Sequence, residues 1–317
     1  MYRYQGKHSP SSWLPPDMSG RRNRKHRSRH EYRKRKVPVR LIIVLLVIAA
    51  VISWPFIEAY NIQTERVNLV SANLPSDIGH LNIVYLTDLH YGFMFSRGRL
   101  QTLVTQINNL KPDLVLFGGD YGTDNASAVR FFETLDSLRP GLHSKYGVYG
   151  VIGDTDRGET DLDLSLLTDT MAASGVTPIV NSVVPVRIGN SVIYIAGLDD
   201  PLTGTPDIKR VAAQVNHDDY VILLCHSPTV ISEAHSATDS QGRTGWFDLA
   251  LFGHTHGGQI IRENPFNIAP EVPAYYRSGW FHENKAEILV SKGVGTSVIP
   301  IRFFCPPEIH YISVSVG

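Results

Sequence analysis

Short apolar runs rich in β-branched residues alternate with stretches of helical periodicity from residue 81 onward. Runs of about four to eight such residues predict strands, and apolar residues spaced three and four apart predict amphipathic helices. The predicted strands are residues 81–87, 114–117, 147–152, 183–188, 192–196, 220–224, 249–252, 288–290 and 311–316. The predicted helices are residues 100–110, 126–138, 162–174, 208–215 and 229–235. This alternation predicts an α/β fold whose sheets are covered by helices on their outer faces.

A longer apolar run lies nearer the N-terminus. Residues 41–57 are 17 consecutive uncharged, mostly apolar residues between Arg40 and Glu58. As a helix this run spans about 25 Å, enough to cross a thin bilayer, and Trp54 and Tyr60 stand where interfacial aromatic residues belong. The run lacks the polar face of a buried core helix and the clear cleavage site of a signal peptide, although a cleaved signal peptide remains the alternative. We therefore predict a transmembrane anchor at residues 39–57.

Charge is unevenly divided along the chain. Residues 1–40 contain 13 of the 30 Lys and Arg residues and two of the 30 acidic residues, so they carry +11 and the remainder carries −11. Residues 1–38 show no apolar periodicity and are predicted to be a disordered basic tail. Alone, this tail would suggest nucleic-acid binding. Beside an apolar span, the positive-inside rule instead predicts a single-pass cell-membrane protein with a cytoplasmic N-terminus, an extracytoplasmic body and no nucleic-acid partner.

The remaining chain is predicted to form one folded domain. Residues 58–80 are predicted to be a linker and lead-in, and residues 81–317 the domain itself. Cys225 and Cys305 are the only cysteines, too few for a disulfide framework or a thiolate metal site. The sequence leaves the oligomeric state open.

Five of the predicted strands run directly into Asp or His residues. Ligands of open α/β sheets collect at the carboxyl ends of strands, where loops converge. The last such segment, G-H-T-H-G-G, is the sharpest, because alternation along an extended chain would place both of its histidines on one side. The strand-end residues are Asp88, His90, Asp120, Asp154, His226, His254 and His256.

These seven residues supply three carboxylates and four imidazoles. Each motif alone is a weak signal, but together they exceed the needs of one tetrahedral zinc ion. They suit two divalent ions of mixed nitrogen and oxygen ligation, with Mn, Fe or Zn as the candidates. Two metals about 3.5–4 Å apart are the usual clamp for in-line displacement at phosphorus. The strand ends therefore predict a dinuclear metal centre acting on phosphoesters.

The motif order D-x-H, G-G-D, G-x-x-D, H and G-H-x-H resembles the calcineurin-like metallophosphoesterase family. The segment G-H-T-H-G-G-Q at 253–259 and the tail at 291–297 and 302–308 are most similar to its membrane-linked bacterial branch. This resemblance implies a two-sheet αββα sandwich. It also implies family roles, with Asp88, His90 and His256 on the first metal, Asp120 bridging, and Asp154, His226 and His254 on the second.

The third motif departs from the family pattern. The family reads G-N-H-[DE], in which Asn binds the second metal and His helps to protonate the leaving group. Here the residues are Gly153, Asp154, Thr155 and Asp156. Thr155 cannot act as a general acid near neutral pH, and loss of a positioned acid typically costs about 10²–10⁴-fold in rate. No catalytic residue is therefore assigned; Thr155 and Asp156 occupy the family's acid region.

Together these features predict a membrane-anchored phosphoester hydrolase that acts on a lipid or cell-envelope phosphoester. One alternative is a UDP-2,3-diacylglucosamine-type pyrophosphate hydrolase, whose substrate is a cytoplasmic nucleotide conjugate. The other is a metal-binding pseudo-enzyme that kept the ions but lost turnover at Thr155.

Overall fold

The computed structural model describes residues 38–260 and 269–317. The chain divides into two units, Met1–Leu46 and Val47–Gly317. In the first unit the described residues after Pro38 are helical. The predicted basic tail, residues 1–38, otherwise lies outside the described residues. The second unit contains the sheets and the candidate metal ligands.

The apolar runs and amphipathic stretches form six α-helices and twelve strands among the described residues. The helices are α1 (Val39–Glu58), α2 (Arg97–Leu110), α3 (Asn125–Ser137), α4 (Asp161–Ala173), α5 (Ile208–Ala212) and α6 (Ile231–Ser236). The strands are β1 (Gln63–Ser71), β2 (His80–Leu86), β3 (Leu114–Phe117), β4 (Val148–Gly150), β5 (Val176–Pro178), β6 (Ser182–Ile188), β7 (Ser191–Gly197), β8 (Val221–Leu224), β9 (Leu249–Phe252), β10 (Gly279–Glu283), β11 (Ala286–Val290) and β12 (Glu308–Val316).

The strands form two six-stranded mixed sheets. The first has the order β1-β12-β2-β3-β4-β5, in which β2 to β5 are parallel and β12 is antiparallel to β2. The second has the order β10-β11-β9-β8-β7-β6, in which β7, β8, β9 and β11 are parallel. A hairpin joins β6 to β7, with Ile188 opposite Ser191 across the turn. In each sheet, the carboxyl ends of the parallel strands therefore lie along one edge.

Alternating side chains of each strand divide between two apolar cores. In β2, Ile83 and Tyr85 face a core between the sheets, whereas Val84 and Leu86 face a core under α2, α3 and α4. A third core packs the outer face of the second sheet against α5 and α6. The four layers are therefore helix, sheet, sheet and helix, which confirms the αββα sandwich implied by the family resemblance.

The folded unit begins earlier in the chain than residue 81. β1, within the predicted linker at 58–80, pairs in parallel with β12 at the edge of the first sheet. The last turn of α1 is also tied to the body, since the backbone N–H of Arg302 donates to Pro55 O at 3.0 Å. The N–H of Cys305 donates to the Glu58 carboxylate at 2.7 Å. The end of the apolar helix and the 302–305 segment are thus fixed to each other.

α1 is the only helix among residues 38–260 and 269–317 that is long and apolar enough to cross a membrane. Nearly all of its side chains are exposed, and Glu58 is its one buried residue. A core helix of a soluble domain would bury an apolar stripe. The exposure agrees with the predicted span.

Candidate metal centre

The candidate ligands come from neighbouring strands of both sheets. β2, β3 and β4 lie side by side in the first sheet, and β8 and β9 are neighbours in the second. Their carboxyl ends meet at one end of the sandwich, which brings all seven sequence-predicted ligands together. The first sheet supplies Asp88, His90, Asp120 and Asp154, and the second supplies His226, His254 and His256.

One group consists of Asp88, His90 and His256, all buried. The Nε2 atoms of His90 and His256 lie 3.0 Å apart, and the two rings stack with centroids 5.0 Å apart. Nε2 of His256 lies 3.5 Å from Oδ1 of Asp88. Three donor atoms thus converge on one point, as a single bound cation requires.

The second group consists of Asp154, His226 and His254. Oδ1 of Asp154 lies 3.1 Å from Nε2 of His226 and 2.9 Å from Nδ1 of His254. The His226 side chain is fully buried, whereas about a quarter of Asp154 is exposed. This group therefore forms the solvent-facing part of the cluster.

Asp120 stands between the two groups. Its Oδ2 lies 3.5 Å from Nε2 of His90 in one group and 3.4 Å from Nε2 of His226 in the other. With Asp88 and His226 it forms a third convergent set. A carboxylate in this position can serve two cations at once.

The backbone at the cluster is unusual. Five of the seven candidate ligands have positive φ: Asp88 (54°), His90 (47°), Asp120 (53°), His254 (67°) and His256 (50°). This left-handed region costs a non-glycine residue roughly 1–2 kcal/mol and is found at functional sites where the surroundings enforce it. The expectation of an extended G-H-T-H segment is therefore wrong in detail. The segment turns, and His254 and His256 reach different groups.

Two glycines let the loops approach one another. A Cβ atom at Gly153 would collide with the backbone and carboxylate of Asp120, and one at Gly253 would collide with Thr87 and Asp88. Only glycine tolerates such close contact. The glycines of the motifs therefore bring the loops of both sheets into contact around the candidate ligands.

The orientation of the imidazoles tests whether a cation fits. Nδ1 of His226 lies 2.8 Å from Gly118 O and Nδ1 of His90 lies 3.3 Å from Gly122 O, so both Nδ1 atoms must carry hydrogen. In the neutral ring, Nε2 of His226 is then a buried acceptor that faces the carboxylates of Asp120 and Asp154 and receives no hydrogen bond. An imidazole nitrogen that faces carboxylate oxygens needs a proton or a cation between them. A backbone carbonyl that accepts a hydrogen bond from the other ring nitrogen is typical of metal-binding histidines. The residues present fit divalent cations.

When no cation is bound, protons must lie between the facing imidazole nitrogens and carboxylate oxygens. Burial disfavours the charged form of His226, but the nearby Asp120 and Asp154 outweigh it and hold its pKa well above the usual value. Burial would raise the pKa of Asp154, yet hydrogen bonds from His226 and His254 hold that pKa far below its usual range. By contrast, burial and the neighbouring His90 hold the pKa of His256 well below normal. Cation binding to such a cluster displaces protons from its imidazoles.

The third-motif residues have structural partners. The Thr155 hydroxyl donates to Gly122 O at 2.7 Å. The buried Asp156 carboxylate accepts the backbone N–H groups of Tyr121 at 2.8 Å and Gly153 at 3.0 Å. Asp156 therefore joins the second and third motif loops. Neither side chain is a free acid or base in this arrangement.

Glu271 is a site residue that the sequence analysis missed. Its Oε1 lies 2.5 Å from Nε2 of His254, on the opposite side of the ring from Asp154. A carboxylate on the remote nitrogen of a metal-binding histidine orients the ring and makes it a stronger ligand. No motif surrounds Glu271, so only the fold could reveal this contact. The same contact places the segment around Glu271 against the cluster.

Replacing Glu271 with alanine should weaken metal binding about 10-fold, within the range typical of outer-shell partners. The reason is that His254 loses the acceptor that holds its ring. Glu287→Ala is the matched control, because Glu287 contacts Nδ1 of His282 at 2.9 Å outside the candidate metal centre. Titration of Mn²⁺ against a chelating dye measures both variants. Equal affinities in the two would remove Glu271 from the site.

Comparisons with known proteins agree with the family resemblance. The profile of the family described as calcineurin-like phosphoesterase matches residues 81–258. The uncharacterized metallophosphoesterase YkuE of Bacillus subtilis is 30% identical over 258 residues, covering 80% of this chain and 86% of its own. An uncharacterized metallophosphoesterase of Helicobacter pylori is 29% identical over 73% of this chain and 59% of its own. The Danio rerio transmembrane protein with metallophosphoesterase domain is 27% identical over 75% of this chain and 54% of its own.

A mixed α/β sandwich with clustered Asp and His residues at its strand ends suits metal-dependent hydrolysis. The profile match and the similarity to YkuE make the assignment specific. The chain belongs to the calcineurin-like phosphoesterase family, whose members are hydrolases acting on phosphoester bonds.

Proposed function

We propose that this protein is a membrane-anchored phosphoester hydrolase with a dinuclear metal centre, acting outside the cytoplasmic membrane on a lipid or envelope phosphoester. The observation that carries the proposal is the cluster of seven Asp and His donors shared by two groups around Asp120. Family membership supports the reaction class. The apolar helix supports the anchor.

The residue roles follow from the two groups. Asp88, His90 and His256 would hold one cation, His226, His254 and Asp154 the other, and Asp120 both. Two such cations polarise a phosphoryl oxygen and activate water as a nucleophile. Three carboxylates leave a net charge of +1 on two divalent ions, and Asn at position 154 would leave +2. Asp154 therefore weakens the attraction of the site for an anionic phosphate.

Anchoring rests on helix α1 and the charge before it. The exposed apolar side chains of α1 suit lipid rather than water. The +11 of residues 1–40 favours a cytoplasmic N-terminus, so the body would lie on the opposite side. A protein held there meets lipids and envelope polymers. The cytoplasmic substrate of a UDP-2,3-diacylglucosamine-type hydrolase would be on the wrong side.

Metal-dependent hydrolysis is the direct test. The full chain in detergent, stripped with a chelator, should be inactive toward bis-nitrophenyl phosphate and regain activity when Mn²⁺, Fe²⁺ or Zn²⁺ is added. Metal analysis should find two ions per chain. At most one ion per chain would contradict the dinuclear centre. Two ions without hydrolysis in any metal would favour the pseudo-enzyme.

Topology has its own test. A membrane-impermeant protease applied to intact cells, after any wall is removed, should digest the body and spare the N-terminal tail. Tags at the two ends report the fragments, and lysed cells provide the control for cleavage of both. Protection of the body in intact cells would place it in the cytoplasm. That outcome would make the nucleotide-sugar substrate plausible again.

A further inference from the structure

Two loops beside the metal cluster expose large apolar side chains to solvent. Phe93, three residues after His90, is 99% exposed, and Val298 is 94% exposed. Phe304 is 73% exposed and Ile299 is 41% exposed. We refer to these four residues as the apolar rim. Single exposed apolar residues are ordinary, but several large ones around one site mark an interaction surface.

The apolar rim is continuous with the candidate metal centre. A cleft of about 230 Å³ is lined by His90 together with Phe93, Met94, Val298 and Ile299. One candidate ligand thus stands in a cleft whose other walls are largely apolar. A substrate whose phosphate meets the ligands would leave its apolar part among the rim residues.

Both rim loops are also tied to the end of helix α1. The Arg99 guanidinium donates to Met94 O at 2.8 Å and to Ala59 O at 2.9 Å, which links the Phe93 loop to the residue after the helix. On the other side, the N–H of Cys305 donates to Glu58 at 2.7 Å. Both rim loops are therefore held beside the C-terminal end of α1.

A second apolar groove lies beside Phe304. It has a volume of about 700 Å³ and is lined by Val51, Trp54 and Ile57 of α1 and by Phe303 and Phe304. Surfaces of this kind bury apolar side chains in the boundary between headgroups and acyl chains. The same lipids that surround α1 would thus contact the rim.

The backbone supports a functional reason for the exposure. Val298 has φ 63° and Phe304 has φ 54°, in the left-handed region that favours glycine. For a β-branched or aromatic residue this conformation is costly and persists only where the surroundings hold it. Two of the most exposed apolar side chains are therefore held in place rather than left on a relaxed loop.

We propose that the apolar rim inserts into the surface of the bilayer that holds α1, so that the metal cleft opens onto lipid. This proposal deepens the proposed function and rests on it. The substrate would then be an amphiphile whose chain stays in the membrane while its phosphoester reaches the cluster. Water-soluble phosphoesters would reach the cleft only from the aqueous phase.

A fluorescent probe on the rim tests insertion without using activity. Cys225 and Cys305 are 0% and 3% exposed, so an added surface cysteine is labelled selectively. Val298→Cys in the full chain is labelled with a polarity-sensitive dye in nanodiscs that contain lipids spin-labelled near the headgroup. The matched control is Val70→Cys, because Val70 is 69% exposed near the end of β1. Val70 pairs with Ser315 of β12, which in turn pairs with His80 at the start of β2, so it lies away from the strand ends that carry the ligands.

We expect the dye at position 298 to shift to the blue and to be quenched by the spin-labelled lipid, and the dye at position 70 to show neither effect. Equal behaviour at the two positions would overturn the rim proposal. Because quenching does not depend on turnover, it reports the rim even if the protein proves inactive. Failure of the proposed function is seen separately, as absence of metal-dependent hydrolysis of a soluble ester.

A second readout compares substrates. Phe304→Ser should lower the ratio of hydrolysis of a bilayer-embedded phosphoester to hydrolysis of bis-nitrophenyl phosphate about tenfold, because one rim anchor is lost. Val70→Ser should leave this ratio unchanged. An unchanged ratio in Phe304→Ser would contradict the role of the rim in presenting lipid.

Discussion

Asp120→Ala should remove both metal ions and lower hydrolysis by more than about 100-fold, beyond the range typical of outer-shell changes. Among the residues that the structure describes, Asp120 is the one carboxylate that lies within 3.5 Å of an imidazole of each group. Its loss therefore affects both cations, whereas His90→Ala should weaken mainly the first. Metal content and activity of the purified variants measure the effect.

Two variants make this result interpretable. Asp124→Ala is the control for loss of a nearby carboxylate, because Asp124 caps helix α3 through the N–H of Ser127 and stands outside the cluster. It should keep both ions. Asp120→Asn preserves the shape of the side chain and removes its charge, so it separates loss of the ligand charge from loss of side-chain volume. Two ions retained in Asp120→Ala would show that another group bridges them.

Esters with good leaving groups should be cleaved roughly 10²–10⁴-fold better than alkyl esters, because the third motif offers Thr155 where the family has His. A nitrophenolate leaves without a proton, whereas an alkoxide needs one in the transition state. Thr155→His should then raise the rate on alkyl esters about 10- to 100-fold. The rate on nitrophenyl esters should barely change.

The structure supplies the control for this substitution. The Thr155 hydroxyl donates to Gly122 O, and both Thr155→His and Thr155→Ala remove that hydroxyl. Thr155→Ala loses it without adding an acid and should not raise the alkyl-ester rate. Asp154→Asn should instead lower KM for both ester types, since it restores positive charge at the metals. Efficient alkyl-ester cleavage by the wild type, slowed in Thr155→His, would mean that another residue supplies the proton.

The central strands and the ligands they carry were predictable because both leave local signals. The four residues of β3 and of β9 are all buried, so each reads as an unbroken apolar run ending in a polar loop. Carboxyl ends of neighbouring parallel strands lie at one edge of a sheet, so Asp88 after β2 and Asp120 after β3 could be placed near the same site before the fold was known.

The features that the sequence did not predict are an edge strand and contacts between residues that are distant in sequence. β1 is an edge strand with many exposed polar residues, and its partner β12 lies more than 200 residues away, so residues 58–80 looked like a linker. Glu271 meets His254 only because the fold brings a loop back over the cluster. The bonds from Arg302 and Cys305 to the end of α1 are equally remote in sequence. Patterns within a short window cannot report such contacts.

Four candidate ligands follow strands of the first sheet and three follow strands of the second, so bound cations would cross-link the two sheets. Ligands that bind only the native state stabilise it by mass action. In a cell that lacks the metal, the protein would lose this cross-link as well as its activity. The two sheets would separate locally more often, and proteases would then reach the core between them. The number of surviving molecules would then follow metal supply, and abundance itself would become a record of the metal available.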